Sequence, residues 1–111
     1  MAGVERTLFT REHVLEYAER FRADGAIHVD EAYARPRFGG LVVPGLLVAE
    51  AMLMRAVRDD AGLLLERAFE FRFLRPLVAG RPIEFREGAG ALEAWTDDHD
   101  VPVARVEMRA A

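Results

Sequence analysis

Apolar side chains follow two different rhythms along this chain. In the first half they recur at helical spacing. Val14, Ala18 and Phe21, joined by Leu15 and Tyr17, mark one face of an amphipathic helix. Thr10 suits its N-cap, Glu12 is favourable in its first turn, and Asp24-Gly25 stops it. Ahead of it, residues 4–9 predict a short strand. Residues 27–34 predict a short helical turn or an irregular segment, while Arg35-Pro36 and Gly39-Gly40 predict a loop. Pro44 suits the first position of a second helix, expected over residues 44–60 and ending near Gly62. Residues 46–54 of that helix are apolar nearly all round, which predicts burial. From Phe69 onward the rhythm becomes alternation. Phe69, Phe71 and Phe73 interleave with Glu70 and Arg72, and Ile83 and Phe85 with Glu84 and Arg86. Residues 76–82 break the two strands. Two more strands are expected over 89–96 and 101–108, joined by the polar turn 97–100. Helices first and a meander afterwards predict one α+β domain over residues 1–111, an antiparallel sheet wrapped around a buried helix.

Composition narrows the chemistry. A length of 111 residues fits a single domain, and 51% hydrophobic residues support a packed core. A domain this small buries a limited share of its surface, so pairing with a second copy is expected to help. The net charge of −4 and the absence of a basic stripe argue against nucleic acid as a partner. There is no Cys, Ser, Lys, Asn or Gln, so every cationic side chain is Arg. That excludes a Ser or Cys nucleophile, a Lys Schiff base, a P-loop lysine, a thiolate metal site and a disulfide. Residues 1–10 carry charge and show no signal peptide. The longest apolar stretch, 41–54, is interrupted by Pro44, Gly45 and Glu50 and is too short to span a bilayer. A cytoplasmic protein with no membrane partner is the expectation.

Catalysis must then use Asp, Glu, His, Arg, Tyr, Thr or the backbone, and three features offer it. Asp24 and His28 flank a glycine turn, where an acid and an imidazole can form a general acid/base pair. The same residues also suit a capped turn beside a solvated His. Gly39-Gly40 leads into Val43-Pro44-Gly45, where glycines admit a ligand to the backbone. A helix starting there presents free N–H groups to an anion or a polarised carbonyl. The pattern also fits plain loop geometry. Glu50 has Leu46, Leu47, Leu53 and Met54 at helical neighbour positions, so it is expected on an apolar face. A buried carboxylate there is either paired, as with an Arg at a subunit interface, or protonated with a raised pKa. His13 and His99 read as solvated, and three isolated histidines offer no metal spacing.

Together these segments resemble the MaoC-like (R)-specific enoyl-thioester hydratases. Ile27-His28-Val29-Asp30-Glu31-Ala32-Tyr33-Ala34 is similar to their hydratase motif. Phe38-Gly39-Gly40 followed by Pro44-Gly45-Leu46-Leu47 looks like their loop into a central helix. Residues 71–80, Phe-Arg-Phe-Leu-Arg-Pro-Leu-Val-Ala-Gly, look like the strand and Pro…Gly turn common to hot-dog proteins. Asp24 stands one residue nearer the His than in that family, and the family's Asn and Pro are absent. The stretch from Pro44 to Ala51 instead resembles the carrier-protein dehydratases, in which the residue at Glu50 is a catalytic acid. The resemblance implies a hot-dog fold, a curved antiparallel sheet around a central apolar helix, with two protomers paired as a homodimer. It implies a 3-hydroxyacyl-thioester dehydratase or enoyl-thioester hydratase acting on acyl-CoA or acyl-carrier-protein, with no cofactor and no metal. His28 is the acid/base, with Asp24 or Glu50 its partner. The N–H near Gly45 polarises the thioester carbonyl, and Gly39, Gly40 and Pro44 shape the site. With no Lys, any contact with the anionic end of the substrate must come from Arg, and Arg35, Arg37 and Arg75 beside the loop and strand turn are the candidates; a solvated surface is the other reading. A hot-dog thioesterase, addition of an amine to an enoyl thioester, and a non-catalytic subunit of a dehydratase heterodimer are the alternatives.

Overall fold

A computed structural model of the chain describes residues 5–88 and 90–111. Val4 and Ala89, where two of the expected strands begin, lie outside the described residues. The elements are β1 (Arg6–Thr7), α1 (Arg11–Phe21), α2 (Ala26–Val29), α3 (Glu31–Phe38), α4 (Gly45–Ala56) and α5 (Leu63–Glu66). Strands β2 (Arg67–Phe73), β3 (Ile83–Gly88), β4 (Ala91–Trp95) and β5 (Ala104–Ala110) follow. The strands form one antiparallel sheet in the order β1-β3-β4-β5-β2. Helix α4 packs on the central strands β4 and β5. The core between them holds Val48 and Met52 of the helix with Leu92, Ala94, Ala104 and Val106 of the sheet.

Thr10 caps α1, its hydroxyl accepting from the His13 amide at 3.1 Å. Val14 and Ala18 are the buried positions of that helix, as the helical spacing implies. The expected loop at Arg35-Pro36 is a correction: Pro36 lies inside α3. A proline forfeits one backbone bond and crowds the preceding turn. Three local contacts offset this. Asp30 caps the helix through the Tyr33 amide, Arg37 Nη1 donates to the Tyr33 carbonyl, and Gly39 closes the last turn onto Arg35 with φ of 91°.

The second expected helix is also corrected. It ends at Ala56 rather than near Asp60, because Arg58-Asp59-Asp60 offers no apolar face to pack. A short helix, α5, follows instead. Nor is α4 buried all round. Leu47, Val48, Ala49 and Met52 face the core, whereas Leu46 is 75% exposed, Met54 62%, and Glu50 between them is exposed too. One helix on one sheet can bury only the stripe that meets the sheet. At the other end, β5 begins at Ala104 rather than Val101, since Pro102 has no N–H for the ladder.

Candidate functional site

Helix α2 is a single turn that carries His28. It is tied to the strand-like segment before α4 in both directions: the Val42 amide donates to the Ile27 carbonyl at 2.8 Å, and His28 Nδ1 lies 2.7 Å from the Val42 carbonyl. A carbonyl only accepts, so Nδ1 bears the proton. In the neutral ring Nε2 is then left with a free lone pair. The half-buried imidazole packs back over Gly25, where a Cβ would lie 3.7 Å from its Cδ2.

His28 lines a cavity of about 330 Å³ with Val42, Gly45, Phe73, Arg75 and Val103 among the other walls. Gly45 is the first residue of α4, and Pro44 before it, the N-cap residue, has no N–H. The leading amides of a helix have no acceptor within it, so the Gly45 N–H is available at the cavity edge. The cavity thus joins an imidazole held through Nδ1 to a helix N-terminus, in apolar surroundings of Val, Phe and Leu.

The polar side of this cavity is Arg75. Its Nε donates to the Val101 carbonyl at 3.1 Å, and Nη2 donates to the Thr96 hydroxyl. Thr96, at 4% exposure, is the one buried polar residue among those described. Arg75 also lines a neighbouring cavity of about 210 Å³ with Arg81, Thr96, Asp98 and His99. Burial pushes the Arg75 guanidinium below its ordinary range, Asp98 opposing and Arg81 adding to the effect. A hydrogen bond from the Thr96 hydroxyl holds the Asp98 carboxyl below its usual range, with the Arg81 ion pair acting the same way.

The other expected site residues are placed elsewhere in the single chain. Asp24 is exposed just ahead of α2, next in sequence to Gly25, and shares no hydrogen bond or cavity with His28 among the described residues. Glu50, expected in an apolar environment, is exposed. It lines a groove between α4 and α1 with His13, Glu16, Tyr17 and Arg20, not the His28 cavity. Gly39 is the α3 C-cap. Gly40 permits close packing, since a Cβ there would meet Val78 Cγ1 at 2.9 Å; neither lines the cavity. Arg35 pairs with Glu31 at 3.7 Å, and Arg37 stacks over the Tyr33 ring at 3.7 Å; both are exposed on α3. Two groups that matter here escape the local reading. The Val42 carbonyl has no side-chain signature. Thr96 does have one: it falls two residues after Ala94 and four after Leu92, on the inward face of an alternating strand.

The class these features define is an α+β hot-dog domain. Among solved structures, the chain is similar to the unliganded R-hydratase PhaJ1 of Pseudomonas aeruginosa, with a TM-score of 0.65 and 16% identity over 97% of this chain and 78% of that one. The MaoC-like dehydratase of Rhodospirillum rubrum matches with a TM-score of 0.67 and 18% identity, covering 96% and 86%. The C-terminally truncated HadBC complex of Mycobacterium tuberculosis, a 3R-hydroxyacyl-ACP dehydratase, matches with 0.62 and 18%, covering 96% and 89%. No family model and no curated protein sequence matches the chain. The resemblance to MaoC-like hydratases therefore holds at the level of the fold. No helix among the described residues is long and apolar enough to cross a membrane.

Proposed function

We propose that the chain is a 3-hydroxyacyl-thioester dehydratase or, in reverse, an enoyl-thioester hydratase. The observation that carries this reading is the cavity shared by His28, whose Nδ1 is engaged by the Val42 carbonyl, and Gly45 at the start of α4. In the dehydration direction the thioester carbonyl accepts the Gly45 N–H, which stabilises the negative charge that develops as the α-proton leaves. His28 Nε2 takes that proton. The Cβ–O bond breaks with protonation of the leaving hydroxyl, and the products are the enoyl thioester and water. Hydration runs the same steps backwards. The second proton comes from Asp24 or Glu50. Asp24 adjoins the His28 turn in the same chain, whereas Glu50 lines a separate groove and would have to come from a second copy. All these groups are protein groups, so the reaction as written calls for no cofactor or metal. The acyl chain is carried on coenzyme A or a carrier protein in the cytoplasm, with exposed Arg35 and Arg37 available to the anionic carrier. A homodimer is the working assembly.

Purified protein incubated separately with 3-hydroxyacyl, enoyl and saturated acyl thioesters tests the reading. Interconversion of the first two, followed by loss or gain of the conjugated enoyl absorbance, is expected. Release of free acid assigns a thioesterase instead. An adduct formed only with added amine assigns conjugate addition, and no turnover of any thioester assigns a non-catalytic subunit.

A further inference from the structure

We propose that Arg75 is a positioning residue for His28, acting through the wall of the cavity, rather than a contact for the anionic end of a substrate. The proposal rests on the reading of His28 as the acid/base. Residues 73–77 run consecutively along one side of the His28 cavity. The backbone anchors this segment at three places: the Leu74 amide donates to the Val103 carbonyl at 2.8 Å, the Arg75 amide reaches the same carbonyl at 3.3 Å, and the Leu77 carbonyl accepts from the Val43 amide at 2.8 Å. In between, Pro76 has no N–H to offer. The Arg75 side chain adds a tie in another direction, reaching the Val101 carbonyl and the Thr96 hydroxyl on the two sides of the 97–100 turn.

The route from this tie to the imidazole is short and continuous. The Leu77 carbonyl holds Val43. The neighbouring Val42 carbonyl holds the His28 Nδ1 proton, and Val42 also bridges to Val78. A shift of residues 74–77 therefore moves the acceptor that sets which ring nitrogen is free and where it points. Two of the guanidinium's nitrogens are already committed to internal acceptors, and Thr96 is buried. Both facts fit a tie within the protein better than a surface cation awaiting a ligand.

Thr96→Val separates the two roles, because it keeps the shape of Thr96 and the charge of Arg75 and removes the hydroxyl that accepts from Arg75, along with its bond to exposed Asp98. Arg75→Lys is the companion variant, keeping the charge and losing the fork. If Arg75 positions His28, both variants lower kcat by about 10- to 10²-fold. The KM for the thioester should keep its wild-type salt dependence in both. The His28 Nδ1–H proton signal, followed by NMR in the substrate-free protein, should broaden or exchange faster with water. A Thr96→Val protein with wild-type kcat and an unchanged Nδ1–H signal overturns the proposal. So does an effect of Arg75→Lys confined to KM and its salt dependence. The NMR reading needs no substrate. If the protein turns over no thioester, the signal still decides whether Arg75 and Thr96 set the imidazole, independently of the proposed activity.

Discussion

At His28 the two ring nitrogens have different work. Nδ1 is held by a backbone carbonyl fourteen residues away, and on the proposed reading Nε2 exchanges protons with the substrate. Removing the ring should therefore remove the chemistry and leave the fold, since the imidazole is only half-buried and closes no core contact. His28→Ala is expected to reduce turnover by about 10²–10⁴-fold with a thermal melt close to wild type. His13→Ala and His99→Ala, both on exposed side chains, are expected to turn over normally and serve as controls. The partner acid is decided by a pair of isosteric changes. Both Asp24 and Glu50 are exposed, so neither Asp24→Asn nor Glu50→Gln should alter stability by more than about 0.5 kcal/mol. The packing of the His28 ring over Gly25, next to Asp24, favours a collapse of turnover in Asp24→Asn. Collapse in Glu50→Gln with an unchanged melt transfers the acid to Glu50, and with it requires a second copy at the site.

The element proposed to meet the substrate carbonyl is the start of α4. Its leading amide can be deleted without breaking the helix, because proline is well tolerated at the first helical position. Pro44 already has the extended backbone, φ −56° and ψ 137°, that a following proline demands. The ring of Phe73 lies 3.5 Å from where a Cβ on residue 45 would sit, an ordinary contact. Gly45→Pro is thus expected to keep helical circular dichroism and to lower kcat by about 10²–10³-fold, the effect of losing one carbonyl-polarising donor. Normal turnover in that variant removes the Gly45 amide from the mechanism. Much at this scale is legible in the sequence. The Thr10 cap and the helical face of Val14 and Ala18 are local patterns that hydrogen bonding and burial enforce, and Phe69 and Phe71 pack on the core as their alternation implies, whereas Phe73 at the end of β2 is exposed. The orientation of α4 is not legible, because apolar residues lie on every side of it and only the sheet's position decides that Met52 goes in and Leu46 out. Pro36 misleads for the opposite reason: a local rule against helix is outweighed by a cap and by the Arg37 bond to Tyr33. The ties from His28 to Val42 and from Arg75 to Thr96 span 14 and 21 residues, and no window of sequence contains them.

At the scale of the molecule the sheet has two unequal edges. One is the two-residue strand β1, and the other is the seven-residue strand β2, whose outer side has no partner strand among the described residues. A free edge of that length is a template for another strand. Phe73 at its end and Leu74 beyond it are exposed apolar residues that also line the His28 cavity. The strand reads Arg-Ala-Phe-Glu-Phe-Arg-Phe, and it is self-complementary in one antiparallel register. Centred on Phe71, that register sets Arg72 opposite Glu70 of the second copy, twice by symmetry, and Phe69 opposite Phe73. Centring on Glu70 or on Arg72 places like charges face to face, and a one-residue slip sets each charged residue against a phenylalanine. A second copy paired through β2 is therefore the expected assembly, continuing the sheet across both chains. Light scattering at micromolar concentration should give twice the chain mass. Arg72→Glu should shift the protein toward monomer by opposing two pairs of carboxylates. The double swap Glu70→Arg with Arg72→Glu should restore the dimer, because it exchanges the charges and keeps the pairing. If the single and double variants dissociate alike, the register is wrong, and a wild-type chain that stays monomeric and active at that concentration rules out the dimer itself.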